Sequence, residues 1–193
     1  MAITTLNNRS INRSDTAASG QLWTATSATA SDFQAAAAGG KIGQVLSTTL
    51  STVTSTTSAT FVDISGLAVA ITPTATSSKI WVMVSMAMGS QTGYSCGAQM
   101  MRDSTPICIG TDSGIGSSQY QATFHQIPYS TNVIANKNMN FLDSPSSTSE
   151  ISYNMEWREV EGTTLYLNRQ HTYSDTVNYP WVASTITVME VLA

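Results

Sequence analysis

The sequence predicts an all-β protein built as an antiparallel β-sandwich, and three observations carry that expectation. In residues 150–158 the apolar Ile151, Tyr153, Met155 and Trp157 fall on one face and Ser152, Asn154, Glu156 and Arg158 on the other, the period of two of a half-buried strand. Turn-forming clusters bracket this run: Asp143-Ser144-Pro145 before it and Glu161-Gly162 after it. A second alternating run, 184–191, ends almost at the last residue, as a strand locked into a sheet does. Each of the four apolar side chains of 150–158 is worth about 1.5–3 kcal/mol when fully buried. A one-residue slip would lose most of that and bury Glu156 and Arg158 instead, so the register is well specified. Residues 163–169 read as a returning strand and as the antiparallel neighbour of 150–158.

The remaining elements follow in order. Residues 1–40 contain the repeat Asn8-Arg9-Ser10-Ile11, Asn12-Arg13-Ser14 and little bulky apolar surface, so they cannot form a core alone. Ser31-Asp32-Phe33-Gln34 has capping-box spacing, and Ala35 to Ala38 followed by Gly39-Gly40 supplies helix formers and a stop, so one or two helical turns are expected there. The segment reads as an extended arm, with at most this short helix, that becomes ordered on another protein. Leu22, Trp23 and Phe33 are its anchors, because solitary large apolar residues in a polar leader are the types that hold interfaces.

From residue 41 strand signals begin. The Thr/Ser-rich stretch to Thr60 suits an edge strand. Residues 60–64 and 67–71 are runs parted by the turn signal Ser65-Gly66, and Pro73 closes the second. In 79–88, Ile80, Val82, Val84, Met86 and Met88 share a face while Trp81 and Met83 begin the other, so this strand is central or has its second face against a neighbouring subunit. Residues 98–102 and 106–110 bracket Asp103-Ser104-Thr105 as a hairpin. Residues 111–138 and 169–180 read as long polar loops with aromatic content, the kind that carries function.

Composition excludes several classes. Charged residues make up 10% of the 193, the net charge is −4, and no basic run exists to displace counterions from phosphates, so no nucleic acid partner is expected. No stretch approaches eighteen apolar residues, so no membrane span is expected, and the N-terminus lacks a signal-peptide pattern, which implies synthesis in a cytoplasm. Cys96 and Cys108 are expected as free, buried thiols. His125 and His171 are far apart and zinc-site spacing is absent, so neither metal nor cofactor is expected. One histidine per chain could still bind a metal on a three-fold axis, but an ordinary loop histidine is favoured. No enzyme is expected either. Ser144, with His125 or His171 and Asp175, has the residue types of a triad, yet it precedes Pro145 without a Gly-x-Ser-x-Gly context, and Asp143 and Ser144 read as turn formers. Glu156, Glu159 and Glu161 read as a solvated edge.

An ordered set of blocks carries a resemblance: Ser78-Lys79-Ile80-Trp81-Val82, Arg102-Asp103-Ser104-Thr105-Pro106-Ile107, Phe141-Leu142-Asp143-Ser144-Pro145, Gly162-Thr163-Thr164-Leu165-Tyr166-Leu167-Asn168-Arg169 and Ser184-Thr185-Ile186-Thr187-Val188-Met189-Glu190. Over 41–193 the chain resembles a domain common in tail fibres and other virion structural proteins of bacteriophages, especially cyanophages. The resemblance implies a tumour-necrosis-factor-like jelly-roll knob that assembles as a homotrimer, with no catalytic site. Trp81, Met83 and Trp181 are then the candidates for the inter-subunit face. No long shaft accompanies the knob, so the expectation is a capsid decoration or cement protein in the virion, its arm (1–40) on the major capsid protein and its knob (41–193) outward. The alternative is a short tail fibre or receptor-binding knob, joined to tail proteins and recognising host surface glycans. Tyr120, His125, Tyr129, His171, Tyr173 and Tyr179 are the receptor-loop candidates, with Trp181 a further ring for stacking on saccharides.

Overall fold

The computed structural model describes residues 21–25, 31–35, 41–111, 114 and 119–193, and no helix occurs among them. The chain divides into two compact units, Met1–Lys41 and Ile42–Ala193. In the first, β1 (Gln21–Ala25) and β2 (Ser31–Ala35) form an antiparallel ribbon with Trp23 directly opposite Phe33. This corrects the helical turn expected from Ser31. A one-turn helix fixes several dihedrals for its first hydrogen bond, whereas a ribbon gains a ladder of them at once. The part of that expectation on 36–38, and most of the arm, lies outside the described residues.

The second unit is a sandwich of two antiparallel sheets. In the first sheet, β3 (Ile42–Leu50) pairs with β13 (Ser184–Val191), β13 with β6 (Lys79–Gly89), and β6 with β10 (Ala135–Asp143). The short β4 (Thr54–Thr56) and β12 (Leu165–Leu167) continue the β3 and β13 columns beside the end of β6. In the second sheet, β5 (Val62–Ile71) pairs with β11 (Ile151–Glu159) and β11 with β7 (Cys96–Arg102). β8 (Thr105–Ile107) and β9 (Phe124–Gln126) lie end to end along the far side of β7. Successive long strands step from one sheet to the other, and this is the jelly-roll path.

The alternating faces meet in one core. Ile80, Val82, Val84, Met86 and Met88 of the first sheet pack against Tyr153, Met155, Trp157, Met100 and Leu67 of the second. Truncating Trp157, 2% exposed, would cost about 3–5 kcal/mol. Methionine supplies much of this interior, a soft filler that adapts to the gap between sheets. The Thr/Ser-rich β3 does run along an edge, and the β7–β8 hairpin turns at Asp103, whose φ is +53°.

Several sequence expectations are corrected. Ser65-Gly66 is not a turn between two strands: β5 runs through it, and Gly66, at φ +86°, sits where the pairing with β11 slips. The spacing reflects this, because the buried Ile64 and Leu67 are three apart, one more than the pleat allows without a bulge. The neighbours expected in 150–158 and 163–169 lie in opposite sheets. Between them Glu159 is fully buried, not a solvated edge, and its Oε2 accepts the backbone N–H groups of Glu161 and Thr163 at 3.0 and 2.9 Å, steering the chain across the sandwich instead of into a hairpin. The returning strand is only Leu165–Leu167, since Asn168 takes φ +68° and turns the chain outward. The expected loop 111–138 is interrupted by β9 and by the start of β10.

Three buried polar groups pin the sandwich. Asp143, expected as a turn former, is the last residue of β10 and 6% exposed. It accepts both Arg102 Nη1 contacts at 2.9 Å and the Tyr153 hydroxyl at 2.7 Å, tying the first sheet to two strands of the second. Burial, reinforced by the adjacent carboxylate, pushes the Tyr153 phenol up. Glu190 of β13, which like Asp143 stands opposite Ile80, accepts Thr74 N–H and Oγ1 at 2.6 and 2.7 Å and Gln44 Nε2 at 2.9 Å. Burial works against its charge, but these donors and Ser78 outweigh it and hold the carboxyl at about 2. Asn168 donates to Leu50 and Thr52 carbonyls at 2.7 and 2.9 Å and accepts the Ser184 hydroxyl at 2.6 Å, closing the base of the 169–183 loop.

Candidate functional site

The sandwich has two outer faces and two ends, and their chemistry differs. On the first sheet, the pairing registers place Val45, Met189, Trp81 and Leu142 side by side across four strands. Val45, Trp81 and Leu142 are 53%, 41% and 49% exposed, an apolar row open to solvent. The next row is Ser47, Thr187, Met83 and Asn140, and the one after it Thr49, Thr185, Ser85 and Asn138. Three successive rows therefore carry no ionisable side chain. In the second of these rows the Ser47 and Thr187 hydroxyls are 2.7 Å apart, a side-chain hydrogen bond between β3 and β13. Trp81 and Met83 thus lie on one face, in rows without charge, with residues the sequence reading did not single out: Val45, Leu142 and Met189. Each is the outward member of an alternating strand, but knowing that they form one row requires the register. Trp181 is not on this face. It lies in the loop before β13, 64% exposed, with its ring 6.3 Å from that of Tyr173.

The outer face of the second sheet is polar. Gly97 of β7 stands opposite Arg158 of β11 and His125 of β9. The missing side chain at Gly97 is the seat of Tyr120: a Cβ there would lie 2.7 Å from the ring. The Arg158 guanidinium is 4.3 Å from that ring's centroid and 5.5 Å from the Phe61 ring, and Phe61 meets Tyr120 edge-on at 5.7 Å. Burial pushes the Tyr120 phenol up, opposed by Ser95 and Arg158. Beside this stack a groove of about 670 Å³ is walled by Tyr120, Phe124, His125, Glu161 and the segment 119–123. On its rim Ser95 is held from two sides, its hydroxyl 2.9 Å from His125 Nε2 and its N–H donating to Glu161 Oε2 at 2.9 Å. A hydroxyl–imidazole pair is part of a nucleophile triad, but here the carboxylate holds the serine backbone instead of orienting the imidazole. The contact works as a pin that fixes the groove rim. Ser144 lies in the turn after β10, at the opposite end of the sandwich from His171 and Asp175, and the structure does not bring them together.

At the end where β6 finishes and β7 begins, backbone bonds from Gly93 to Pro128, Val160 to Ser95 and Thr172 to Thr131 gather four loops. Arg169 is stacked 3.8 Å from the Tyr166 centroid and 5.4 Å from that of Tyr173, and His171 meets Tyr166 edge-on at 5.7 Å. Burial, aided by Arg169, lowers the His171 pKa. Tyr129 is 84% exposed, and Tyr179 is half-buried in the 169–183 loop. The receptor-loop candidates thus separate into Tyr120 and His125 at the groove, and His171 and Tyr173 around Arg169. Leu22 and the Trp23–Phe33 pair occupy adjacent positions of the β1–β2 ribbon. Both cysteines are free, Cys96 buried and Cys108 half-buried, and burial pushes the Cys96 thiol up to about 11. No group of three or more His, Cys, Asp or Glu that could hold a metal occurs among the described residues.

No family model and no curated protein matches the chain. Solved structures that resemble it include two of infectious bursal disease virus VP2 and one of infectious bursal virus particles. A mutant VP2 in derived T=1 particles is 12% identical with a TM-score of 0.41, covering 88% of this chain and 40% of that one. The VP2 subviral particle is 11% identical with a TM-score of 0.37, covering 88% and 42%. A structure of infectious bursal virus derived T=1 particles is 13% identical with a TM-score of 0.39, covering 88% and 40%. The chain spans about two fifths of the length of these proteins.

Proposed function

We propose that this chain is a non-enzymatic virion surface protein of a bacteriophage, a homotrimeric capsid decoration or cement subunit whose residues 1–40 engage the capsid and whose knob faces outward. The observation that carries the reading is the outer face of the first sheet. Its exposed Trp81 row is apolar, and the two rows beyond it, mostly hydroxyls and amides, carry no charge, matching the charge depletion of an interface centre. A three-fold assembly buries such a face in every copy, and it covers the edge strands β3 and β10 that would otherwise invite open-ended pairing. The polarity of the knob agrees with attachment at one end. The second unit begins at Ile42, paired with Val191, and the aromatic loops gather at the far end.

Two measurements test this. Sedimentation of the purified chain should give a trimer, and a stable monomer at micromolar concentration would sink the assembly. Copy number in purified virions then separates sites of attachment: about one copy per capsid subunit supports decoration. A few tens or fewer would favour the second reading, a short tail fibre or receptor-binding knob, which the groove beside Tyr120 supports.

A further inference from the structure

We infer that the groove on the outer face of the second sheet is a binding site for neutral saccharide. This deepens the receptor reading, and it stands whether or not the chain is a trimer, because the groove and the Trp81 row lie on opposite outer faces of the sandwich.

Size, lining and charge select the ligand class. A groove of about 670 Å³ is within the range that small-ligand sites occupy, and it has room for a di- or trisaccharide. Tyr120 and Phe124 give it an apolar wall against which the C–H face of a pyranose can pack. A sugar hydroxyl both donates and accepts, so it needs mixed partners: the Glu161 carboxylate accepts, Gln119 and Gln121 do both, and the exposed His125 ring adds a nitrogen. Among the described residues no lysine or arginine lines the groove and Glu161 is the one charged side chain that does, so phosphate, sulfate and sialic acid are disfavoured. Arg158 lies against Tyr120 and Phe61, with its charge engaged by rings. The rim is pre-set, because Ser95 already fixes both His125 and Glu161 at 2.9 Å. Fixed partners cost little ordering when a ligand binds.

The test uses the full chain and ligand-observed saturation-transfer NMR, with lactose and maltotriose as neutral probes and sialyllactose and glucose 6-phosphate as anionic ones. Lactose or maltotriose should bind with a Kd of about 1–10 mM, and the anionic probes about tenfold or more weaker. Glu161→Gln should narrow that difference, and His125→Ala should weaken neutral binding several-fold. The decisive variant is Gly110→Phe: Gly110 lines the groove and an added Cβ there meets nothing within 4 Å, so a bulky ring can be introduced at the groove lining without a clash at its root. Unchanged thermal melting confirms the fold. Loss of saturation transfer in this variant supports the assignment. No transfer from either neutral probe at about 20 mM, or transfer that persists in Gly110→Phe, overturns it. Because the readout is independent of oligomeric state, a failure here leaves the trimer reading intact.

Discussion

The two outer faces of the sandwich are made by the same alternation, yet they are opposites. The first sheet turns Val45, Met189, Trp81 and Leu142 outward in one row and follows them with hydroxyls and amides. The second turns out Asn154, Glu156 and Arg158, where Gln99 Nε2 reaches Glu156 at 2.7 Å, Asn154 reaches Asp63 at 2.7 Å, and Arg158 is capped by aromatic rings. Much of the polar face pairs with itself, although Arg158 Nε and the Tyr120 hydroxyl are buried there without a hydrogen-bond partner. The apolar one leaves its Trp81 row open to solvent, and on that ground we propose assembly on the first face and ligand recognition on the second.

The sharpest way to break this contrast is to charge the dry row. Trp81→Glu should raise the trimer dissociation constant about a hundredfold or more, as loss of a central anchor worth about 2–4 kcal/mol does. The monomer should still melt near its normal temperature, and sedimentation together with calorimetry reads both. A trimer unaffected by the change would move the interface elsewhere. Next in size is the pin shared by both faces. Asp143→Ala strands Arg102 and the Tyr153 hydroxyl inside the sandwich and should cost about 2–3 kcal/mol in denaturant unfolding, with association and groove binding weakened together.

Glu190 gives a smaller effect with a defined sign. Its folded pKa of about 2 lies below the ordinary 4.5, so its stabilisation is present above pH 4.5 and disappears as the pH falls towards 2. Glu190→Gln should cost about 1–2 kcal/mol at pH 7, and the wild-type advantage in melting temperature should shrink steadily below pH 4.5. An advantage that is the same at pH 7 and pH 3 would show that the carboxylate charge is not what holds the β5–β6 turn. The smallest change touches only the second face. Gly97→Ala pushes the Tyr120 ring off its seat and should cost about 1 kcal/mol, altering the tyrosine signal while leaving the trimer intact.

Much of the fold was legible because a half-buried strand writes its burial into every second residue. β11 and β13 alternate in the structure as they do in the sequence, and the outward turn of Trp81 and Met83 on β6 could be read the same way. The errors came where local and long-range forces compete. A capping box at Ser31 lost to pairing with 21–25, a Ser-Gly pair became a bulge, Asp143 was drawn inside by Arg102 and Tyr153, and Glu159 was drawn inside by the backbone N–H groups of Glu161 and Thr163 just after it. Of the groove, Tyr120 and His125 could be named from the loop's aromatic content. Gly97, Arg158, Ser95 and Glu161 carried no signal, since each is an ordinary residue until its neighbour is known.

By itself the sequence determined the class of the molecule: strands with one buried side, a surface rich in hydroxyls and poor in charge, and turns set by Gly, Pro and Asp. Only the tertiary structure decided which strands pair and in what register, and so gathered four separate apolar residues into one dry row and placed a tyrosine over a glycine beside an open groove. Periodicity is a local property of the backbone and is written in the order of residues. Adjacency across a sheet is fixed by the packing of the whole sandwich, and it exists only once that packing is complete.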